Sequence, residues 1–375
     1  MAGIEVIDTV DAATRARFDL IVDCRSPAEF AEDRVPGAIN LPVLSNAQRA
    51  EIGAIYVQQD KFRGRRLGAA LIARNVADYL EGPLADLPPA SRVLVYCWRG
   101  GQRSHAMATI LAQVGWRTGL LHGGYKTYRR RVQERLYGSD LGLRFVLLDG
   151  PTGVGKTRIL AELAERGVQV LDLEGLARHR GSLLGGLPGQ PQPGQKQFES
   201  ELLQALESLD RSHAVVVEAE SSRIGELIVP PALWGAMGSA LRIRVTAPEE
   251  ARAHYLIEAY GDVIAEPETL LMALNRLPPR LGVARLTEWR ELAETGEVEA
   301  LALALMRHHY DPAYRRSARE DERPLIGEVE MTGLSPDDLA GAADAIVAIL
   351  AKAREPSLAD KLQAELRKLA KKRRP

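Results

Sequence analysis

The chain is 375 residues long, 46% hydrophobic and 26% charged, with a net charge of −1. This suits a soluble protein of two or three domains with separate cores, and excludes a global field that gathers nucleic acid. Two cysteines exclude a disulfide framework, no Cys/His spacing suggests a structural metal, and the apolar runs are too short to span a membrane.

In chain order, the start at Met1–Glu5 lacks a basic, apolar leader, so a reducing cytoplasm is the expected setting. Asp19–Asp23 is a buried-strand pattern, and Ser26-Pro27 opens a helix with an N-cap and a first-turn proline. A charged, mainly helical stretch at about 45–79 reads as an insertion. Val93–Tyr96 is a second buried strand. A helix follows over Ser104–Gln113, then a strand over Thr118–Leu121 and a basic helix over Tyr125–Tyr137. Strand–loop–helix repetition predicts a parallel sheet covered on both faces. A second start follows: a strand at Leu143–Asp149, a helix at Lys156–Arg166, and strands at Val168–Asp172, Ala214–Glu218 and Leu241–Val245. Gly185–Gln197 reads as a loop long enough to act as a lid. From Glu249 the pattern is almost all helical, and 351–375 is a basic helical tail, with seven Lys/Arg against one Glu beyond residue 360. The expected fold class is α/β in two parts, 1–137 and 138–350, followed by that tail.

Two loops carry the chemistry. Cys97 ends a buried strand, and Trp98, Arg99, Gly100, Gly101, Gln102, Arg103 and Ser104 follow before or within a helix. A helix N-terminus, curled backbone amides and two arginines favour a thiolate, a persulfide or a bound oxyanion. The five residues between Cys97 and Arg103 also match the spacing of cysteine-dependent phosphatases. The second loop, Gly150, Pro151, Thr152, Gly153, Val154, Gly155, Lys156 and Thr157, follows a strand and opens a helix, the context a diphosphate cradle requires. Lys156 would bridge phosphate oxygens and Thr157 would hold Mg²⁺. Asp172 and Glu218 are candidate metal-side carboxylates, and Arg223 a candidate phosphate clamp. ATP or GTP is the default ligand, though any diphosphate fits. Lys126, Arg129, Arg130 and Arg131 are candidate contacts to a nucleic-acid backbone. His179, His308 and His309 are open between acid–base roles, nucleic-acid contacts and hydrogen-bonded structural roles. Cys24 reads either as a resolving thiol or as core packing.

Asp23-Cys24-Arg25-Ser26-Pro27-Ala28-Glu29-Phe30 and Val35-Pro36-Gly37-Ala38-Ile39-Asn40-Leu41-Pro42 resemble the rhodanese domain. Together with the phosphate loop, a wider set of stretches resembles the tRNA 2-selenouridine synthase family. These are Gly123–Arg129, Asp172–Ser182, Pro191-Gln192-Pro193 and His308-His309-Tyr310-Asp311-Pro312. The resemblance implies a rhodanese-like sheet domain followed by a P-loop NTPase-like domain with a helical C-terminal region. It also implies a transferase that exchanges sulfur for selenium in 2-thiouridine at the tRNA wobble position, through an S-geranylated intermediate. Geranyl diphosphate and selenophosphate would be co-substrates, tRNA the partner, and an enzyme supplying selenophosphate a further candidate partner. On this reading Cys97 carries selenium and the phosphate loop holds the geranyl donor's diphosphate. Two other readings stay open here. One is a cysteine-dependent phosphatase or sulfurtransferase fused to a nucleotide-binding module, the other an ATP-dependent RNA-binding module with a degenerate first domain.

Overall fold

A computed structural model describes residues 3–354 apart from 139, 183, 184, 188, 276 and 278–280. The basic tail expected over 351–375 therefore falls outside the described residues from 355 onward. The chain divides into two compact units, the first comprising 1–141 with 193–209 and 230–233, the second 142–192, 210–229 and 234–375.

The first unit is built on a parallel sheet of β1 (Glu5–Ile7), β2 (Leu20–Asp23), β3 (Ala38–Asn40), β4 (Arg92–Tyr96) and β5 (Arg117–Leu121), in the order β1-β5-β4-β2-β3. Helices α1 (Ala12–Arg15) and α2 (Pro27–Glu32) connect the first strands. The second of these starts on a Ser26/Glu29 capping box with Pro27 in its first turn. The charged stretch forms α3 (Asn46–Gln58) and α4 (Lys61–Glu81), capped by Ser45 and Asp60. Ile72 and Val76 of α4 are buried in the same core as Val93 and Val95, so this segment closes one face of the sheet. Next, α5 (Gln102–Val114) adds Met107 and Leu111 to that core, and α6 (Tyr125–Tyr137) follows β5. A later segment, α9 (Gln195–Glu207), packs on α6 within this unit.

The second unit carries a parallel sheet in the order β12-β11-β6-β8-β7. Its strands are β6 (Arg144–Asp149), β7 (Gln169–Leu171), β8 (Ala214–Glu218), β11 (Leu241–Thr246) and β12 (Leu325–Glu330). Helices α7 (Lys156–Glu165) and α17 (Pro336–Arg354) pack together and bury Ile159, Leu163 and Ile346 with Val146, Val216 and Val245. Short α8 (Leu173–Ala177) follows β7, and β9 (Arg223–Ile224) with β10 (Leu227–Ile228) forms a small hairpin before α10 (Pro231–Gly238). The remainder is helical: α11 (Glu249–Ala259), α12 (Gly261–Ile264), α13 (Pro267–Leu274), α14 (Val283–Thr295), α15 (Val298–Leu305), a π-helical turn at Met306–Tyr310 and α16 (Asp311–Glu320). Of these, α12 to α15 share a second core around Val263, Leu270, Trp289 and Leu301. Strand β12 interrupts the expected helical run. It is an edge strand with largely exposed side chains, so it lacks the apolar run that marked the central strands.

Candidate functional site

Cys97 leaves the C-terminal end of β4 and is almost fully buried. Its Sγ lies 3.1 Å from Ser104 Oγ, and Ser104 also donates to the Gly101 carbonyl at 3.2 Å. That hydroxyl can take the thiol proton's hydrogen bond or turn and donate to a thiolate. The amides of Arg99, Gly100 and Gly101 find no backbone acceptor among the described residues, and α5 begins directly after them. An open set of N–H groups at a helix start has the chemistry to receive an anion. The loop is fixed from the other side by α6, whose Tyr125 and Lys126 amides donate to the Cys97 and Trp98 carbonyls at 2.8 and 3.2 Å. Gly124 makes this approach workable. Its φ is +61°, and a Cβ there would collide with the Cys97 carbonyl and press on the Arg99 and Gly100 nitrogens.

The two arginines of the loop differ. Arg99 is exposed, whereas Arg103 donates to Glu29 at 2.9 Å. Burial raises the Glu29 pKa, but Arg103, the Ser26 amide and Arg49 outweigh it and hold the carboxyl below its usual range. Trp98 stacks on Tyr125 at 5.3 Å, and the buried Arg25 guanidinium lies 4.0 Å from the Tyr125 ring centroid while its Nη2 pairs with Asp23 at 2.6 Å. Cys24 is fully buried with its Sγ 3.4 Å from Met107 Sδ. Burial, with the nearby Cys97 and Asp23, pushes its thiol well up, which fits core packing.

In the second unit the phosphate loop links β6 to α7, with positive φ at Gly153 and at Gly155, the α7 N-cap. Lys156 Nζ rests 3.3 Å from the Gly150 carbonyl, and Thr157 donates to Glu174 at 3.0 Å. A cleft of about 510 Å³ opens over the loop, lined also by Glu174, His179, Arg180, Glu220, Tyr255 and Tyr260. Burial and the neighbouring Glu220 carboxylate raise Glu174 to about 7, despite Lys156 and Thr157. Arg252, buried and missed by the sequence reading, donates from Nε to the Thr152 carbonyl at 2.9 Å. Its guanidinium is clamped by both Asp311 oxygens, at 2.6 and 3.0 Å.

Comparison with known proteins matches both halves. A rhodanese-like domain profile covers residues 7–131, and a tRNA 2-selenouridine synthase AAA domain profile covers 143–332. A tRNA 2-selenouridine synthase of Aeromonas salmonicida is 35% identical over 325 residues, 78% of this chain and 86% of its own. That of Chromohalobacter salexigens is 34% identical over 325 residues, 79% and 87% respectively. The Nitrosomonas europaea enzyme is 33% identical over 276 residues, 72% and 70%. The chain belongs to the tRNA 2-selenouridine synthase family.

The family's motifs now acquire positions. Gly123–Lys126 is the brace behind the cysteine loop. Asp172–Ser182 supplies one wall of the phosphate cleft. Gln192 pins that region by donating to the Ala177 and Ile224 carbonyls and accepting from the Glu226 amide. The expected loop is thus tied down at Gln192, and α9 already begins at Gln195. Tyr310 lines the cleft and Asp311 clamps Arg252, while His308 is exposed and His309 stacks edgewise on Tyr310. His179 lines the cleft too, its pKa lowered mainly by burial.

The carboxylates that line the phosphate cleft lie two residues beyond those singled out in the sequence. Asp172 caps α8 through the Gly175 amide, and Glu218 is buried, accepts from the Leu173 amide and is pushed well up, first by burial and then by Asp172. Glu174 and Glu220 face the cleft instead. A mutually repelling carboxylate pair beside the Thr157 hydroxyl fits a hard divalent cation such as Mg²⁺. No group of three or more His, Cys, Asp or Glu side chains suited to hold a metal ion occurs among the described residues. Arg223 is exposed on the β9–β10 hairpin and does not line the cleft; Arg158 and Arg180 do. Of the four basic α6 residues singled out in the sequence, Lys126 and Arg130 are exposed, whereas Arg129 pairs with Glu199 and Arg131 with Glu207 at 2.6 Å. No helix of the described residues is long and apolar enough to cross a membrane.

Proposed function

We propose that the chain converts 2-thiouridine at the tRNA wobble position to 2-selenouridine in two steps, one at each loop. In the first, the thiouridine sulfur attacks the allylic carbon of geranyl diphosphate. A C–S bond forms, the C–O bond breaks and the diphosphate leaves with the electron pair, while the base loses its N3 proton. Lys156 and the phosphate-loop amides neutralise the departing diphosphate. Mg²⁺, held beside Thr157, Glu174 and Glu220, would supply further charge neutralisation there. In the second step the selenium of selenophosphate, handled at Cys97, forms a C–Se bond at C2 while the C–S bond breaks and geranylthiolate leaves with its electron pair. Water then takes the phosphoryl group, the P–Se bond breaks, phosphate departs and the base regains its N3 proton. The open amides after Cys97 suit a tetrahedral selenium-bearing oxyanion, and Ser104 is placed to share the thiol proton.

The observation that carries the geranyl reading is the wall of the phosphate cleft. Tyr255, Leu256, Ala259, Tyr260 and Tyr310 stand beside the diphosphate cradle, a largely aliphatic and aromatic surface suited to a hydrocarbon-bearing donor.

Nucleoside mass spectrometry of tRNA from cells carrying single variants tests the division of labour. Cys97→Ser should stop selenium incorporation and let geranylated 2-thiouridine accumulate, and Lys156→Ala should remove both products. Equal loss of both products in the two variants would sink the two-site scheme.

A further inference from the structure

Beside the phosphate cleft lies a second hollow that shares Thr152, Ser182, Leu256, Tyr260 and Tyr310 with it. Hydroxyl groups mark this common rim: Ser182 Oγ and Tyr260 Oη are 2.7 Å apart. Beyond the rim the walls are hydrocarbon, with Val263, Leu270, Val298, Leu301, Ala302 and Leu305 projecting from α12, α13 and α15. A ligand in this space meets polar partners only at its mouth. A nucleobase would have to bury ring nitrogens and an exocyclic group against such walls, which leaves its donors and acceptors unsatisfied. An alkyl or alkenyl chain has none to satisfy. The hollow is narrow, about 60 Å³, which suits a slim acyclic chain over a fused ring. Met306, whose unbranched side chain adapts readily, lines it and allows it to widen around a guest.

We infer that this hollow receives the hydrocarbon chain of a diphosphate ester whose head lies in the phosphate loop. The inference rests on the geranyl donor proposed above and extends it: it locates the chain and makes the chain, rather than the diphosphate alone, the feature by which the donor is selected. The polarity of the two spaces fixes the orientation, with the ester oxygen near the Ser182/Tyr260/Tyr310 rim.

Calorimetric titration of the full-length chain with Mg²⁺ and either inorganic diphosphate, geranyl diphosphate or ATP tests it. Wild type should bind geranyl diphosphate at least ~10²-fold more tightly than inorganic diphosphate, since even part of a ten-carbon chain buried in apolar surroundings gives such a ratio. Ala302→Phe, which fills the hollow, should bring geranyl diphosphate down to the affinity of inorganic diphosphate and leave the latter unchanged, showing at once that the fold is intact. Val298→Trp blocks the same space from another position and should act alike. Variants that keep the full geranyl preference would overturn the assignment of the hollow, and so would a wild type without that preference. If geranylated tRNA still formed in a Lys156-dependent manner, the hollow would be wrong and the two-step function would stand. Tight, Lys156-dependent ATP binding with no geranyl preference would remove the geranyl donor itself.

Discussion

Burial and the neighbouring Glu220 push the Glu174 carboxyl up to about 7 from an ordinary value of 4.5. Between those values the folded protein binds more protons than the unfolded chain. Stability therefore falls as pH rises from about 4.5 through 7 and is recovered on acidification across the same window. Thermal melts of the ligand-free protein should show this trend, and Glu174→Gln should make it shallower, the buried Glu218 acting in the same direction, and raise the melting temperature at pH 8. The same substitution should weaken Mg²⁺-dependent diphosphate binding, because the cation loses a carboxylate; an unchanged Mg²⁺ dependence would exclude Glu174 from the cation site. At this scale the sequence was informative where chemistry is local. Cys97 and Lys156 sit in short patterns whose meaning follows from the next few residues. Glu174 and Glu220 acquire their role only because two strand ends are brought to the same loop, so attention fell on Asp172 and Glu218, which end the strands but serve as a cap and a buried acceptor.

Helix α6 shows how an element divides its side chains between packing and surface. Its buried face includes Tyr128, Val132 and Leu136, and Arg129 and Arg131 reach the acidic residues of α9. Glu199→Ala should destabilise the first unit by about 3–5 kcal/mol in urea unfolding, because it strands a partly buried arginine. Lys126 and Arg130 are free of that duty. Replacing both with alanine should leave stability within about 0.5 kcal/mol. In a filter-binding titration it should reduce the slope of log tRNA affinity against log salt by about 1–2. An unchanged slope would remove α6 from the tRNA surface. The basic run in the sequence did not reveal this split, since the partners come from a segment more than sixty residues later. Most central strands and helices were legible to within a few residues because their apolar runs are unbroken, as in Val215–Val217. Strand β12 was not, since as an edge strand it has one paired neighbour and mostly exposed side chains.

The molecule as a whole joins a thiol loop on one parallel sheet to a phosphate loop on another, and both sheets place their loops where strand ends meet helix starts, as open α/β sheets do. Family membership was legible because the stretches that build and brace those loops are contiguous in sequence. Their energetic coupling was not. The Arg252–Asp311 pair is the clearest instance, since the phosphate loop's Thr152 carbonyl is held by an arginine that is itself held by an aspartate at the start of α16. Asp311→Asn should lower diphosphate affinity by about tenfold or more in calorimetry while the loop's own sequence is untouched, and Arg252→Lys should not substitute, lacking the two-pronged geometry. The phosphate loop is therefore not a portable cassette. Its shape is stored some 150 residues downstream, so a fragment ending before Asp311 would carry every residue of the motif yet present it slack, and two homologues could exchange the loop freely only if they exchanged that distant aspartate and its arginine along with it.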